Sequence, residues 1–402
     1  MILQTLSLLP LVFSALTTAT PTLTPEPATL DPSTSNELLY LHRKLIETES
    51  ISSNEKDVGQ WLAKYLRHHD WTVETQEVAK DRYNLLAYGK KRETTILLTS
   101  HIDTVPPYWP YYYNKTSDVI GGRGSVDAKA SVAAQIIATA GLKEKLQDDI
   151  SLLFVVGEET GGEGMRAFSD WDKRPSSHEI IIFGEPTEGK LVCGHKGMLG
   201  FALKATGKAA HSGYPWLGVS ANDVLVEALG ELLELRNHLP WSEKYGNTTM
   251  NFGRIEGGVA ANVVAETASA SVATRLAAGT PDIVRGLVLN ALKSVKAAAQ
   301  KQGGDLDVEW RGEGYGPVDI SCNLEGFETL TVNYGTDVPN LSGDHKKYLY
   351  GPGSIFVAHS DHEALKRKEL EQAVLDYRRL IVKATEVRQE QQSGKQEAQI
   401  EL

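Results

Sequence analysis

Residues 151–164 read SLLFVVGEETGGEG. From Ser151 to Val156 the run is short, almost wholly apolar and cut off by Gly157, the pattern of a strand buried on both faces rather than a half-exposed one. Glu179 to Phe183 repeats that character. Working outward, helix-period stretches near 36–48 and 55–68 alternate with strands expected at Trp71 to Glu77 and Thr95 to Thr99. A helix is expected from Ser131 to Lys143, after a glycine-rich loop. Such alternation specifies an α/β domain with a mixed, largely parallel sheet and helices on both sides.

After Gly197 the order changes to strand (Met198 to Thr206), helix (Ala221 to Leu239), two strands (Thr248 to Ile255, Ala265 to Leu276), helix (Pro281 to Lys301) and strand (Leu306 to Trp310). This β-α-β-β-α-β order is a split βαβ, ferredoxin-like α+β unit able to form its own core, and it reads as an insertion. A strand expected at Gly353 to Ala358 and an amphipathic helix from Asp361 to about Ala384 resume the first style. The expected division is a leader at 1–19, a linker or pro-segment at 20–35, a catalytic domain at 36–197 and 313–386, an inserted lid at 198–312 and a polar tail at 387–402.

The 402 residues carry a net charge of −11, which disfavours phosphate backbones and anionic membranes, so neither nucleic acid nor a membrane is an expected partner. Ile2 to Leu16 is apolar, lacks charge and falls short of the roughly 20 residues needed to span a bilayer. It reads as a secretory leader, giving an extracellular or vacuolar location. Secretion gives meaning to glycosylation sequons at Asn114, Asn247 and Asn340. The only two cysteines, Cys193 and Cys322, flank the insertion and are expected to form a bridge.

The metal-type residues lie just past apolar runs or in glycine-rich turns. His101 and Asp103 follow one expected strand, Glu158 and Glu159 the next, Glu185 a third and His359 the last, while Asp127 sits in the turn after Gly121-Gly122-Arg123-Gly124. In an open α/β sheet the carboxyl ends of the strands converge on the ligand crevice, so these distant residues should meet. Two imidazoles with several carboxylates suit a pair of zinc ions. Asp103, two residues from His101 on an extended segment, is placed to bond its free ring nitrogen, and adjacent Glu158 and Glu159 point apart, suiting a general base beside a ligand.

The ordered set SHIDTVP (100–106), GRGSVDAKA (122–130), GEETGG (157–162), FGEPT (183–187), GKAAHSGYP (207–215), GGVAANVV (257–264) and AHSDHE (358–363) resembles the co-catalytic zinc metallopeptidases of family twenty. These include aminoacylase, glutamate carboxypeptidase and succinyl-diaminopimelate desuccinylase. The resemblance implies that His101 and Glu185 hold one zinc, Glu159 and His359 the other, and Asp127 bridges them, with cobalt a possible substitute. It makes Glu158 the general base, Asp103 the partner of His101, and His211 a lid donor reaching a neighbouring subunit's site in a homodimer. Asn262 and Arg275 match lid positions that grip substrate, a guanidinium suiting a terminal carboxylate. Ala130 and His362 depart from the family pattern; His362 competes with His359, whose spacing to Glu363 favours His359.

The reaction implied is amide hydrolysis by a metal-held water, in a secreted carboxypeptidase-like exopeptidase acting on peptides. An N-acyl-amino-acid amidohydrolase is the alternative. A dinucleotide-binding oxidoreductase, suggested by Gly162-Glu163-Gly164, conflicts with three glutamates where a pyrophosphate would sit. A non-catalytic binding protein conflicts with the intact base and ligand positions, and a serine hydrolase with the missing Gly-x-Ser-x-Gly turn. Tyr108, Trp109, Tyr111, Tyr112 and Tyr113 either line a substrate pocket or pack a loop.

Overall fold

The computed structural model describes residues 29–171 and 178–400. The expected leader and the first part of the linker lie outside them. The linker ends earlier than expected: Pro32–Glu47 is helical, started by Asp31, whose carboxylate accepts from the amides of Ser33 and Thr34, and by Pro32 in the first turn. Proline and threonine there mark a helix start and not only a spacer.

The main sheet has six strands in the spatial order Thr72–Ala79, Arg82–Tyr88, Ile150–Val155, Ile96–His101, Ile180–Gly184, Lys346–Tyr350. Its first two pairings are antiparallel and its other three parallel, giving the mixed, largely parallel sheet expected. Alternation along the buried strands feeds two cores. Leu98, Leu152, Phe154, Ile180 and Ile182 face the helices Pro32–Glu47, Lys56–His68, Lys129–Ala140 and Arg367–Ile400. Leu97, Leu153, Val155, Ile181 and Phe183 pack with Met165 and Phe168 of the helix Glu163–Trp171 on the other face.

Several elements differ from expectation. Arg82–Tyr88 was not anticipated, because its buried polar residues break the strand pattern: Arg82 pairs with Glu55 at 2.6 Å and with Glu163, and Asn84 donates to the Gly164 carbonyl at 2.8 Å. Gly353 to Ala358 is a series of turns and not a strand, since Gly353 takes a left-handed φ of 77° and the carbonyls of Ser354 and Ile355 accept from Val357 and Ala358. The sheet strand is instead Lys346–Tyr350, hidden by its two lysines. Finally, a short strand Ala364–Lys366 precedes the last helix, which starts at Arg367 and runs through the segment set apart as a tail, to Ile400.

The inserted unit is a four-stranded antiparallel sheet, in the order Thr249–Gly257, Thr267–Leu276, Gly197–Thr206, Asp305–Tyr315. Its last strand runs beyond residue 312. The helices Ala221–Leu235 and Pro281–Lys301 complete a separate core around Phe201, Leu225, Val272, Val288 and Leu292. Cys193 and Cys322 are bridged (S–S 2.05 Å), tying the strand Leu191–His195 to the return segment. No described helix is long and apolar enough to cross a membrane.

Candidate metal centre

His101 ends its strand, Glu158 and Glu159 follow Ile150–Val155 through Gly157, and Glu185 follows Gly184, so three strand ends deliver their residues to one place. Gly157 has φ 72°, and a Cβ there would lie 2.6 Å from the Glu163 carboxylate, so only glycine makes the turn freely. His359 comes from the turn region after Lys346–Tyr350 and itself has φ 61°, an uncommon conformation for a non-glycine residue.

Asp127 lies between the two histidines. Its Oδ1 is 3.1 Å from His101 Nε2 and its Oδ2 is 3.2 Å from His359 Nε2. Glu185 Oε2 is 3.7 Å from His101 Nε2, and Glu159 Oε2 is 3.0 Å from His359 Nε2. Two donor groups result, His101-Asp127-Glu185 and Asp127-Glu159-His359, sharing one carboxylate. His362 is turned away, exposed and paired with Asp361 at 2.8 Å.

The chemistry of this donor set fits divalent metal ions. His101 Nδ1 is 3.0 Å from the Asp103 carbonyl oxygen, which can only accept, so Nδ1 carries a proton and Nε2 is the nitrogen turned to the carboxylates of Asp127 and Glu185, where it can ligate a metal. A cation between these groups would offset the clustered carboxylate charge, in the buried group at His101 and in the more open one at His359. With no ion between them, these carboxylates favour protonated rings. Burial pulls the His101 ring down, but Glu185, Asp103 and Asp127 hold it well above its ordinary value; Asp127 and Glu159 raise His359 to about 10. Burial, reinforced by neighbouring carboxylates, pushes Glu185 up to about 7 and Glu158 well above the usual range.

Asp103 partners His101 differently from expectation. Its carboxylate oxygen is 3.6 Å from Nδ1, too far for a hydrogen bond, so the backbone carbonyl orients the ring. The carboxylate accepts instead from Ser52 Oγ at 2.7 Å and from the amides of Glu158 and Glu159 at 3.1 and 3.3 Å, fixing the turn that carries both glutamates.

On the lid, His211 is exposed beside Tyr214, and Asn262, also exposed, accepts at its carbonyl from the Ser212 amide. Neither touches the metal-type residues of its own chain among the described contacts. Arg275 is half-buried on the strand Thr267–Leu276; it and Glu158 both act electrostatically on Tyr315. The tyrosine cluster packs its loop: Arg123 lies 4.3 Å over Trp109, Tyr108 Oη donates to the Glu47 carbonyl, and Tyr113 Oη donates to Asp118. Asn114 and Asn247 are exposed, whereas Asn340 is half-buried and donates to Asp337 at 2.9 Å.

Asp337 was not anticipated. It is buried, burial pushes it up to about 6, its Oδ2 has no partner among the described residues, and its charge is felt by Glu158 and Glu185. Its surroundings, Thr336-Asp337-Val338-Pro339, read only as a polar turn. Glu363, four residues after His359, is the other residue whose contacts the spacing did not reveal.

Two family models match parts of the chain, one described as a peptidase dimerisation domain over residues 193–299 and one as peptidase family M28 over residues 85–183. A probable carboxypeptidase of Aspergillus flavus is 50% identical over 382 residues, covering 87% of this chain and 88% of that protein. A tripeptidase of Staphylococcus aureus shares the fold with a TM-score of 0.69 at 21% identity, over 86% of this chain and 98% of its own. An M20 family metallo-carboxypeptidase of Sulfolobus solfataricus does so with a TM-score of 0.67 at 18% identity, over 86% and 98%. With half its residues identical to such a relative across nearly the whole length, and with paired donor groups at the ends of its sheet strands, the chain belongs to the M20/M28 metallopeptidases.

Proposed function

We propose that this metallopeptidase is a secreted di-zinc carboxypeptidase that removes residues from the free C-terminus of peptides. The observation that carries this reading is Arg275. Its guanidinium makes no hydrogen bond or ion pair with any described residue, and its Nη1 would lie 3.3 Å from a Cβ on Gly335, a position that Tyr315 Oη also borders. An unpaired guanidinium that acts on the same tyrosine as Glu158 suits a substrate carboxylate, which it binds through two parallel hydrogen bonds. The carboxypeptidase name of the Aspergillus relative supports the same direction.

His101 and Glu185 would hold one zinc, Glu159 and His359 the second, and Asp127 would serve both; imidazole among carboxylates favours zinc, with cobalt a substitute. When bound, the two ions supply Lewis-acid polarisation of the scissile carbonyl and a lowered pKa for the attacking water. Glu158 takes a proton from that water as its oxygen attacks the carbonyl carbon, and gives the proton to the nitrogen as the C–N bond breaks. Its environment suits both steps, since burial beside Glu185 and Asp337 makes its carboxyl readier to hold a proton than a solvated glutamate. Asp103 keeps Glu158 in register through its backbone amide. Arg275 holds the carboxylate end of the substrate, and Asn262 lines the lid side.

His211 would serve the site of a second copy, a homodimer formed through the lid; its exposure and the dimerisation-domain match support this. Secretion is supported by the apolar leader and by the Cys193–Cys322 bridge, which persists in oxidising compartments.

The test is a matched panel: N-blocked dipeptides with a free C-terminal carboxylate, the same peptides amidated at the C-terminus, and N-acyl amino acids. Cleavage of free-carboxylate peptides, abolished by amidation and weakened mainly in KM by Arg275→Met, is the expected result. Equal cleavage of amidated peptides would remove the carboxypeptidase assignment, and exclusive turnover of N-acyl amino acids would replace it with the amidohydrolase.

A further inference from the structure

We infer that Glu363 is a positioning residue that sets the angle of the shared carboxylate Asp127, so that one short segment, His359 to Glu363, supplies both a ligand and the clamp on the bridging residue. The inference rests on the two-metal reading above.

Glu363 is 1% exposed and fully engaged. Its Oε1 accepts from the amides of Val126 and Asp127 at 3.0 and 3.1 Å, and its Oε2 accepts from Arg123 Nη1 at 2.7 Å. Its own carbonyl accepts from Gly122 N at 3.3 Å and Ser125 Oγ at 3.0 Å. Almost every residue of the loop 122–127 that can reach it therefore does. Two consecutive amides bonded to one oxygen leave the peptide plane entering Asp127 little freedom.

That plane matters because Asp127 faces both histidines at nearly equal distance, 3.1 and 3.2 Å, through different oxygens. A rotation that improves one contact worsens the other. Glu363 also leads into Ala364–Lys366, whose pairing with Val119–Gly121 fixes its height against the loop. Arg123 is a counter-ion within the same arrangement, buried, stacked on Trp109 and donating to the Pro107 carbonyl at 3.2 Å.

A purely structural role is separable from a positioning role by two double variants, both lacking the buried arginine. R123M/E363Q keeps an oxygen able to accept from both amides, whereas R123M/E363L removes it; apolar replacement of a buried ion pair is commonly tolerated. Each protein, stripped of metal and dialysed, is titrated with Co²⁺ by calorimetry and by its visible absorption, alongside thermal unfolding of the metal-free form. The expected result is two ions per chain for the wild type and for R123M/E363Q, with affinity for at least one ion about 10- to 100-fold weaker in R123M/E363L. Wild-type affinity for both ions in R123M/E363L would overturn the role given to Glu363. Fewer than two ions on the wild type would instead overturn the two-metal reading itself. If R123M/E363L does not fold, Glu363→Asp gives the same comparison, keeping a charge opposite Arg123 while drawing the acceptor back by one methylene; unchanged affinity there would equally refute the inference.

Discussion

His42 makes the fold sensitive to acid in a way that can be isolated. It is wholly buried on the helix Pro32–Glu47, its Nε2 is 2.9 Å from the Ser125 carbonyl, and Nδ1 has no partner among the described residues. The carbonyl only accepts, so Nε2 carries the proton and Nδ1 is a bare buried lone pair. Burial, with Lys129 nearby, lowers its pKa from 6.5 to about 4. The unfolded chain therefore takes up a proton below 6.5 that the folded chain refuses until near 4, and stability falls as pH falls through that window. For these two values linkage gives a loss of about 2 kcal/mol at pH 5 and about 3 kcal/mol at pH 4, relative to pH 8. Gln in this place keeps an N–H for the Ser125 carbonyl and does not titrate. Urea unfolding of wild type and His42→Gln at pH 8 and pH 5 should show the wild type losing about 2 kcal/mol more than the variant. Titrating groups that do not interact with His42 cancel in that difference. Equal losses for the two proteins would refute the neutral, buried state assigned to His42.

Glu158→Ala should retain both metal ions and the wild-type circular dichroism while turnover drops by roughly 10² to 10⁴, measured as kcat on an N-blocked dipeptide. Replacing both Cys193 and Cys322 by Ala opens a loop of 129 positions, so unfolding free energy in urea should fall by up to about 5 kcal/mol in the chain-entropy account. Chelation should abolish activity and lower the unfolding temperature. At free metal 100-fold above Kd the loss corresponds to about 2.7 kcal/mol for one site, recovered on adding zinc back.

Short apolar runs ending in glycine located the strands Ile150–Val155 and Ile180–Gly184 and, with them, the edge where Glu158, Glu159 and Glu185 stand. The lid was legible because its helices and strands follow clean periods around an independent core. Where polar residues are buried with partners the pattern fails, as with Arg82–Tyr88, or is masked by terminal lysines, as with Lys346–Tyr350. Asp337 carried no local signal at all, since its burial comes from contacts with Asn340 and the glycine-rich turn around Gly162.

The sequence by itself determined which residue types reach the sheet edge, because strand ends and glycine turns are local properties of the chain. Tertiary structure decided how they are shared: that His359 and not His362 faces Asp127, that Asp103 orients His101 through its carbonyl, and that Glu363 accepts from the backbone of the loop carrying Asp127. Those choices depend on ångström-scale distances between segments more than 200 positions apart, such as Asp127 and His359, which only the packed cores on both faces of the sheet can set.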